Sequence, residues 1–391
     1  MAGIVVAALG GGLLLVTGDD DGNGGDGDAA GSSTTSGPGA VTPDGSTPGS
    51  TGGGNGSSDG SGPASTTPGG GTATSVTAPP PGGPGVIAFA SNRPGAPGIY
   101  VVNGDGTGER AVVSAPGIYS QPAWSPDGTR IAFTVQQAKQ ADIHLVNADG
   151  TGERPLTTGG SDASAAWSPD GTRVAFITGR AGNSDIFVIN ADGSGERALV
   201  KDTGDDLEPA WSPDGTRIAF TARRGAGTDI FVVNADGTGT RRLTDDAADD
   251  LEPTWAPDGA RLVFVSARAG TRDLFVIDAA GTGERRLTTA PGDDFGVAWS
   301  PDGTRLAFVG RRDQNSEILT VAADGSGERR LAASRAEDST PVWAPDSARV
   351  AFVSDRDGDR EIFVVPATGQ GERALTQNLG ADFDPAWRPS G

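Results

Sequence analysis

Acids and arginines are the reactive side chains this 391-residue sequence supplies in quantity: 51 Asp and Glu, 30 Lys and Arg, one histidine (His144), one methionine and no cysteine. Without cysteine or a second histidine, thiol catalysis, disulfide stapling and Cys/His zinc sites are excluded. Abundant carboxylates leave cation binding and acid–base work. Their clearest pattern is a column recurring along the chain at Tyr119, Asp162, Asp206, Asp250, Asp294, Asp338 and Asp382. More acids stand nearby, at Asp202, Asp205, Asp245, Asp246, Asp249 and Asp293. Such a column either gathers into a ring that holds a cation or a basic peptide, or caps its own turns by accepting backbone N–H bonds. The residues alone leave both readings open.

A second column pairs opposite charges. Arg93, Gln137, Arg180, Arg224, Arg268, Arg312 and Arg356 each precede by five residues Gly98, Asp142, Asp185, Asp229, Asp273, Glu317 and Glu361. Five of these couples join arginine to an acid across one hairpin, which predicts a repeated cross-strand ion pair or an arginine-lined face. His144 shares its column with Tyr100, Phe187, Phe231, Phe275, Leu319 and Phe363, so a packing role is expected. The stretch from Asp355 to Asp359 resembles a calcium loop, but its glycine is misplaced.

The elements that carry these columns are repeats. All seven tryptophans (Trp124, Trp167, Trp211, Trp255, Trp299, Trp343 and Trp387) stand in one phrase, WSPDG or a close variant, at spacings of 43 or 44. Six are followed nine residues later by a phenylalanine, from Phe133 to Phe352, and Phe89 is a seventh without its tryptophan upstream. Each unit reads as four short strands: one ending at tryptophan, one through phenylalanine, one such as DIFVV, and one such as RRLT. Pro-Asp-Gly and Asn-Ala-Asp-Gly turns separate them. Four-stranded repeats of this length predict an all-β propeller. The chain enters on a second strand and leaves on a tryptophan strand. Seven blades are therefore expected, with the C-terminal strand completing the first.

The phrases WSPDG, IAF, DIFVVNADG and RRLT resemble the TolB-type propeller repeat over all of 86–391. The turns that repeat suggest scaffold and the varied lead-in loops suggest recognition, since propellers bind on loops held by rigid blades. The resemblance implies six blades as the alternative count, because that family's ring is six-bladed and preceded by a small α/β domain.

Residues 1–18 are apolar and read as a membrane anchor or signal segment, which supplies a transmembrane helix or a cleaved leader. A start inside a longer protein would make them the tail of a longer span. Residues 19–85 are Gly, Ser, Thr and Pro with seven aspartates and no Lys or Arg. They read as a disordered linker with a reach of ~45 Å. The net charge of −21 leaves −14 on residues 86–391, which disfavours nucleic acid. No Walker sequence and no G-x-S-x-G elbow with a hydrolase domain is present.

The expectation is a non-enzymatic binding or scaffold module. It is a monomer tethered on the extracytoplasmic side (or secreted, or periplasmic), and it recognises a protein, peptide or envelope ligand of basic character. It equally fits the sensor part of a longer receptor. Its working face is the one whose varied, acidic loops lead into the tryptophan strands. The alternative is a calcium-dependent hydrolase or lactonase-like propeller that uses the acidic ring, with Ca2+ as its cofactor.

Overall fold

The computed structural model describes residues 5–8, 13–16 and 85–390, except Lys139, Ala226 and Ala333. Near the N-terminus, Val5–Ala8 and Leu13–Val16 pair antiparallel, with Val5 opposite Val16 and Ala8 opposite Leu13. The rest of the 1–18 segment and the linker reading up to residue 84 lie outside the described residues. Among the described residues, no helix is long and apolar enough to cross a membrane.

From Val86 onward the chain forms seven antiparallel sheets of four strands each. In the fourth blade these are Asp206–Trp211, Arg217–Arg224, Gly227–Asn234 and Arg241–Arg242, running from the inside of the ring outward. Local chemistry sets the first reversal. The Gly215 N–H donates to the Ser212 carbonyl (2.8 Å) with Gly215 at φ +68°, while Asp214 Oδ1 accepts from the Thr216 N–H at 3.0 Å. Hydrogen bonds from Ser212 and Thr216 hold the Asp214 carboxyl down at about 2. The second strand is apolar on both faces and buried on both, because neighbouring blades stack against it. The seven phenylalanines of this strand are fully buried. One core cluster joins Ile177 and Val188 of the third blade to Trp211 and Phe220 of the fourth.

Closure follows the expected route. Asp382–Trp387 pairs with Val86–Ser91, Ile87 opposite Trp387 and Ser91 opposite Asp382, so the last strand is the innermost strand of the first blade. The blades therefore number seven, and the six-bladed alternative is excluded.

Two contacts repeat between neighbours. The indole N–H of Trp211 donates to the Ala166 carbonyl of the preceding blade at 3.1 Å, and Trp255 does the same to Ala210. Arginine at the head of each second strand stacks on the next blade's tryptophan, as Arg173 does on Trp211 at 4.7 Å. The first blade has Val86 at that place, and Arg388 covers Trp124 instead, 5.5 Å from its ring.

Candidate functional site

The aspartate column opens the innermost strands, and all six aspartates are fully buried. A buried carboxylate needs a partner, and each finds it in the arginine of its own blade. Arg180 reaches Asp162 at 2.5 Å, Arg224 reaches Asp206 at 2.5 Å, and Arg268 reaches Asp250 at 2.7 Å. Arg312 reaches Asp294 at 2.8 Å, Arg356 reaches Asp338 at 3.1 Å, and Arg93 reaches Asp382 at 3.3 Å. The expected couples across the hairpin are corrected by the register. Asp229 stands opposite Ala222, two residues short of Arg224, and bonds Arg242 on the outer strand at 2.6 Å instead.

The arginine lies across the blade. Arg268 stacks 4.7 Å from the Phe275 ring while its guanidinium pairs with Asp250 on the inner strand and with Glu284 ahead of the outer one. Inner and outer strands are thereby stapled over the aromatic pair Phe264 and Phe275. The second blade replaces the whole set. Tyr119 stands for the aspartate and Gln137 for the arginine. His144 stands for the aromatic ring. Tyr119 and His144 both pack on Phe133, and His144 Nδ1 lies 2.7 Å from Glu153 Oε1. The packing role expected of His144 holds, with Glu153 added as a hydrogen-bond partner.

A different column faces the axis. Three residues before each tryptophan stand Gln121, Ser164, Glu208, Glu252, Gly296, Thr340 and Asp384, at the bulge where every inner strand slips register. Six of them are not glycine yet hold φ between +48° and +58°. That conformation costs of order 1 kcal/mol or more per residue. Five of the seven are followed by proline, which has no N–H to leave unpaired in a bulge.

Side chains of this column reach from blade to blade. The Gln121 N–H donates to Asp384 Oδ2 at 2.9 Å, and the Ser164 N–H to Gln121 Oε1 at 3.0 Å. The Glu252 N–H donates to Glu208 Oε2 at 2.7 Å, and the Gly296 N–H to Glu252 Oε2 at 2.6 Å. The relay links neighbours wherever the side chain is Asp, Gln or Glu; Ser164, Gly296 and Thr340 are too short to continue it. Burial raises the Glu208, Glu252 and Asp384 carboxyls; Glu252, with Glu208 beside it, lies at about 7. Arg272 opposes that shift for Glu252, and Arg360 opposes it for Asp384.

The column that bonds from blade to blade stands two residues after the aspartates, and three of its seven members, Glu208, Glu252 and Asp384, are acids. The signal that could have found it is the proline that follows this position in five of the seven blades. Among the described residues, no three His, Asp or Glu side chains come together in a way that could hold a metal ion. The aspartates expected to do so each turn toward an arginine of their own blade. The loop acids are likewise engaged, as Asp205 accepts from the Ser184 N–H at 2.9 Å and Asp293 from the Arg272 N–H at 3.0 Å.

Solved structures share this architecture at low identity. TolB from Acinetobacter baumannii is 18% identical, over 78% of this chain and 83% of that one, with a TM-score of 0.55. A Mycobacterium tuberculosis puromycin-hydrolyzing peptidase is 18% identical over 75% of this chain, with a TM-score of 0.60; the match spans 53% of the peptidase. Oligogalacturonate lyase from Vibrio parahaemolyticus is 13% identical over 75% of this chain and 86% of that one, with a TM-score of 0.54. No curated protein sequence matches the chain. The sequence profile of the TolB beta propeller domain matches residues 80–205, 156–244, 194–295 and 282–391. With the repeats matched from residue 80 to the last, the chain belongs to the TolB beta propeller domain family.

Proposed function

We propose that this chain is a non-enzymatic binding module, tethered outside the membrane through residues 1–18, that recognises a basic segment of a protein or peptide at the axis of the ring. The observation that carries this reading is the pair Glu208 and Glu252. The six buried aspartates of the inner strands are neutralised by arginine within their own blades, whereas these glutamates accept from neutral backbone N–H groups of the neighbouring blade. An ammonium or guanidinium group from a ligand supplies the countercharge, and it gains most where water is least available. The −14 carried by residues 86–391 steers such a ligand inward. A nucleophile–histidine mechanism is disfavoured because His144, the one histidine, fills the aromatic packing place of its blade against Phe133. The same binding step serves a free-standing module or the sensor part of a longer receptor.

The test is binding of a fluorescent lysine-rich decapeptide to the full chain and to its Glu208→Gln/Glu252→Gln variant. The expected result is saturable binding that weakens with salt and falls about tenfold or more in the variant. Equal binding by both proteins overturns the reading, as does calcium-dependent hydrolysis of a lactone or peptide.

A further inference from the structure

The face bearing the hairpins between second and third strands, together with the loops that lead into the inner strands, is divided by charge. Each lead-in loop belongs to the blade it enters. All eleven carboxylates of these connections then lie in the fourth to seventh blades, in 201–205, 243–249, 287–293, 313–314, 333–337 and 355–360. The corresponding segments of the first three blades (92–97, 115–117, 138–139, 156–161, 179–184 and 375–381) contain none. Glu208 and Glu252 belong to the fourth and fifth blades, on the acidic side.

Within the carboxylate-free sector stand Ile118, 61% exposed, and Leu379, 84% exposed. They are the exposed large hydrophobics among the described residues, and they flank consecutive inner strands, those of the second and first blades. Single exposed apolar side chains are ordinary; these two stand on adjoining blades of the sector that has no loop carboxylate. An open groove of about 560 Å³ adjoins Ile118, lined by Pro116, Gly117, Gln136, Gln137 and Ala138. None of the described residues that line it is charged, since the second blade has Gln137 and Tyr119 in the places of the arginine–aspartate staple.

We infer that this sector is the apolar half of a bipartite docking surface. Its occupant is an extended segment of a basic partner protein that sets one large apolar side chain in the groove beside Ile118, with Leu379 exposed on the adjoining blade, and carries lysine or arginine toward Glu208 and Glu252. Charge complementarity fixes the orientation, since a basic stretch is drawn to the half that holds every loop carboxylate and the apolar anchor is left to the half that holds none. The proposal rests on the basic-ligand reading above and adds the second anchor and its polarity.

The experiment measures binding of two labelled decapeptides to the full chain, one with lysines and a single terminal tryptophan, the other with serine replacing that tryptophan. The proteins are the native chain, Ile118→Asp/Leu379→Asp and Glu208→Gln/Glu252→Gln. Ile118 and Leu379 are exposed, so the first variant keeps the fold, and its unfolding midpoint verifies this. The expected result is about tenfold tighter binding of the tryptophan peptide, an advantage abolished in Ile118→Asp/Leu379→Asp. If both peptides bind equally to the native chain and are weakened only in Glu208→Gln/Glu252→Gln, the apolar half is overturned while the basic-ligand reading stands. If neither peptide binds, both fail. A concentration-dependent dimer lost in Ile118→Asp/Leu379→Asp assigns the patch to a second copy and also overturns the proposal.

Discussion

Arg268 shows how one side chain serves several elements. It neutralises a fully buried Asp250, covers Phe275 and reaches Glu284, so its removal strands a carboxylate in the interior. Arg268→Ala is expected to cost about 3 kcal/mol in urea unfolding followed by tryptophan fluorescence. Adding Asp250→Asn should recover part of that loss, since a neutral amide tolerates burial better than an unpaired charge. In the second blade the reverse change brings no gain, because Tyr119 packs where the aspartate would stand. Gln137→Arg alone is expected to leave stability unchanged or lower; a rise above 0.5 kcal/mol would contradict the staple as described, that figure being about the ordinary range of surface substitutions. The residue types of the staple stand in plain view in the sequence. Its pairing does not, because an arginine has acids within reach before and after it and only the register chooses between them.

The innermost strand is the element that turns a repeated sheet into a site. Its bulge puts one residue per blade into the left-handed region and aims the neighbouring backbone N–H at the previous blade's side chain. The Glu252 carboxyl faces Glu208 of the preceding blade, the Gly296 N–H of the next and the field of Arg272, and burial with the Glu208 charge holds it at about 7. A carboxyl raised in the folded state keeps its proton there after the unfolded chain has lost its own near 4.5. Folding stability attributable to this group therefore falls as pH rises from about 4.5 to about 7 and is lost above that. Glu252→Gln should flatten that part of the pH profile and raise the melting temperature at pH 8 relative to the native chain. An unchanged slope between pH 5 and 8 would show that the group titrates as an ordinary surface glutamate. Proline at position 253 and its equivalents marks the bulge in the sequence, but the chain direction of the residue before it is decided by pairing.

At the scale of the molecule, stability depends on one non-covalent seam. Asp382–Trp387 supplies the inner strand of a blade whose other three strands begin nearly 300 residues earlier, and Gln121 and Trp124 bond back to it through Asp384 and Ala386. Removing residues 380–391 bares Ile87 and Phe89 and deletes Trp387 from the core. That loss is comparable with the ~5–15 kcal/mol holding a domain together, so the truncated chain is expected to bind a hydrophobic dye and lose cooperative unfolding. A circular permutant that places 382–390 ahead of Val86 should unfold cooperatively again. A truncated chain that melts like the native one would refute the seam. The seven-fold count, the four-stranded blade and the closing strand were all legible in the sequence, because turn chemistry and tryptophan spacing are local and repeat without interruption. What only the tertiary structure decided is which charges meet and which face the axis. Those outcomes depend on a one-residue slip in each inner strand, whose direction pairing decides, and on the neighbouring blade, which lies beyond the reach of a single repeat.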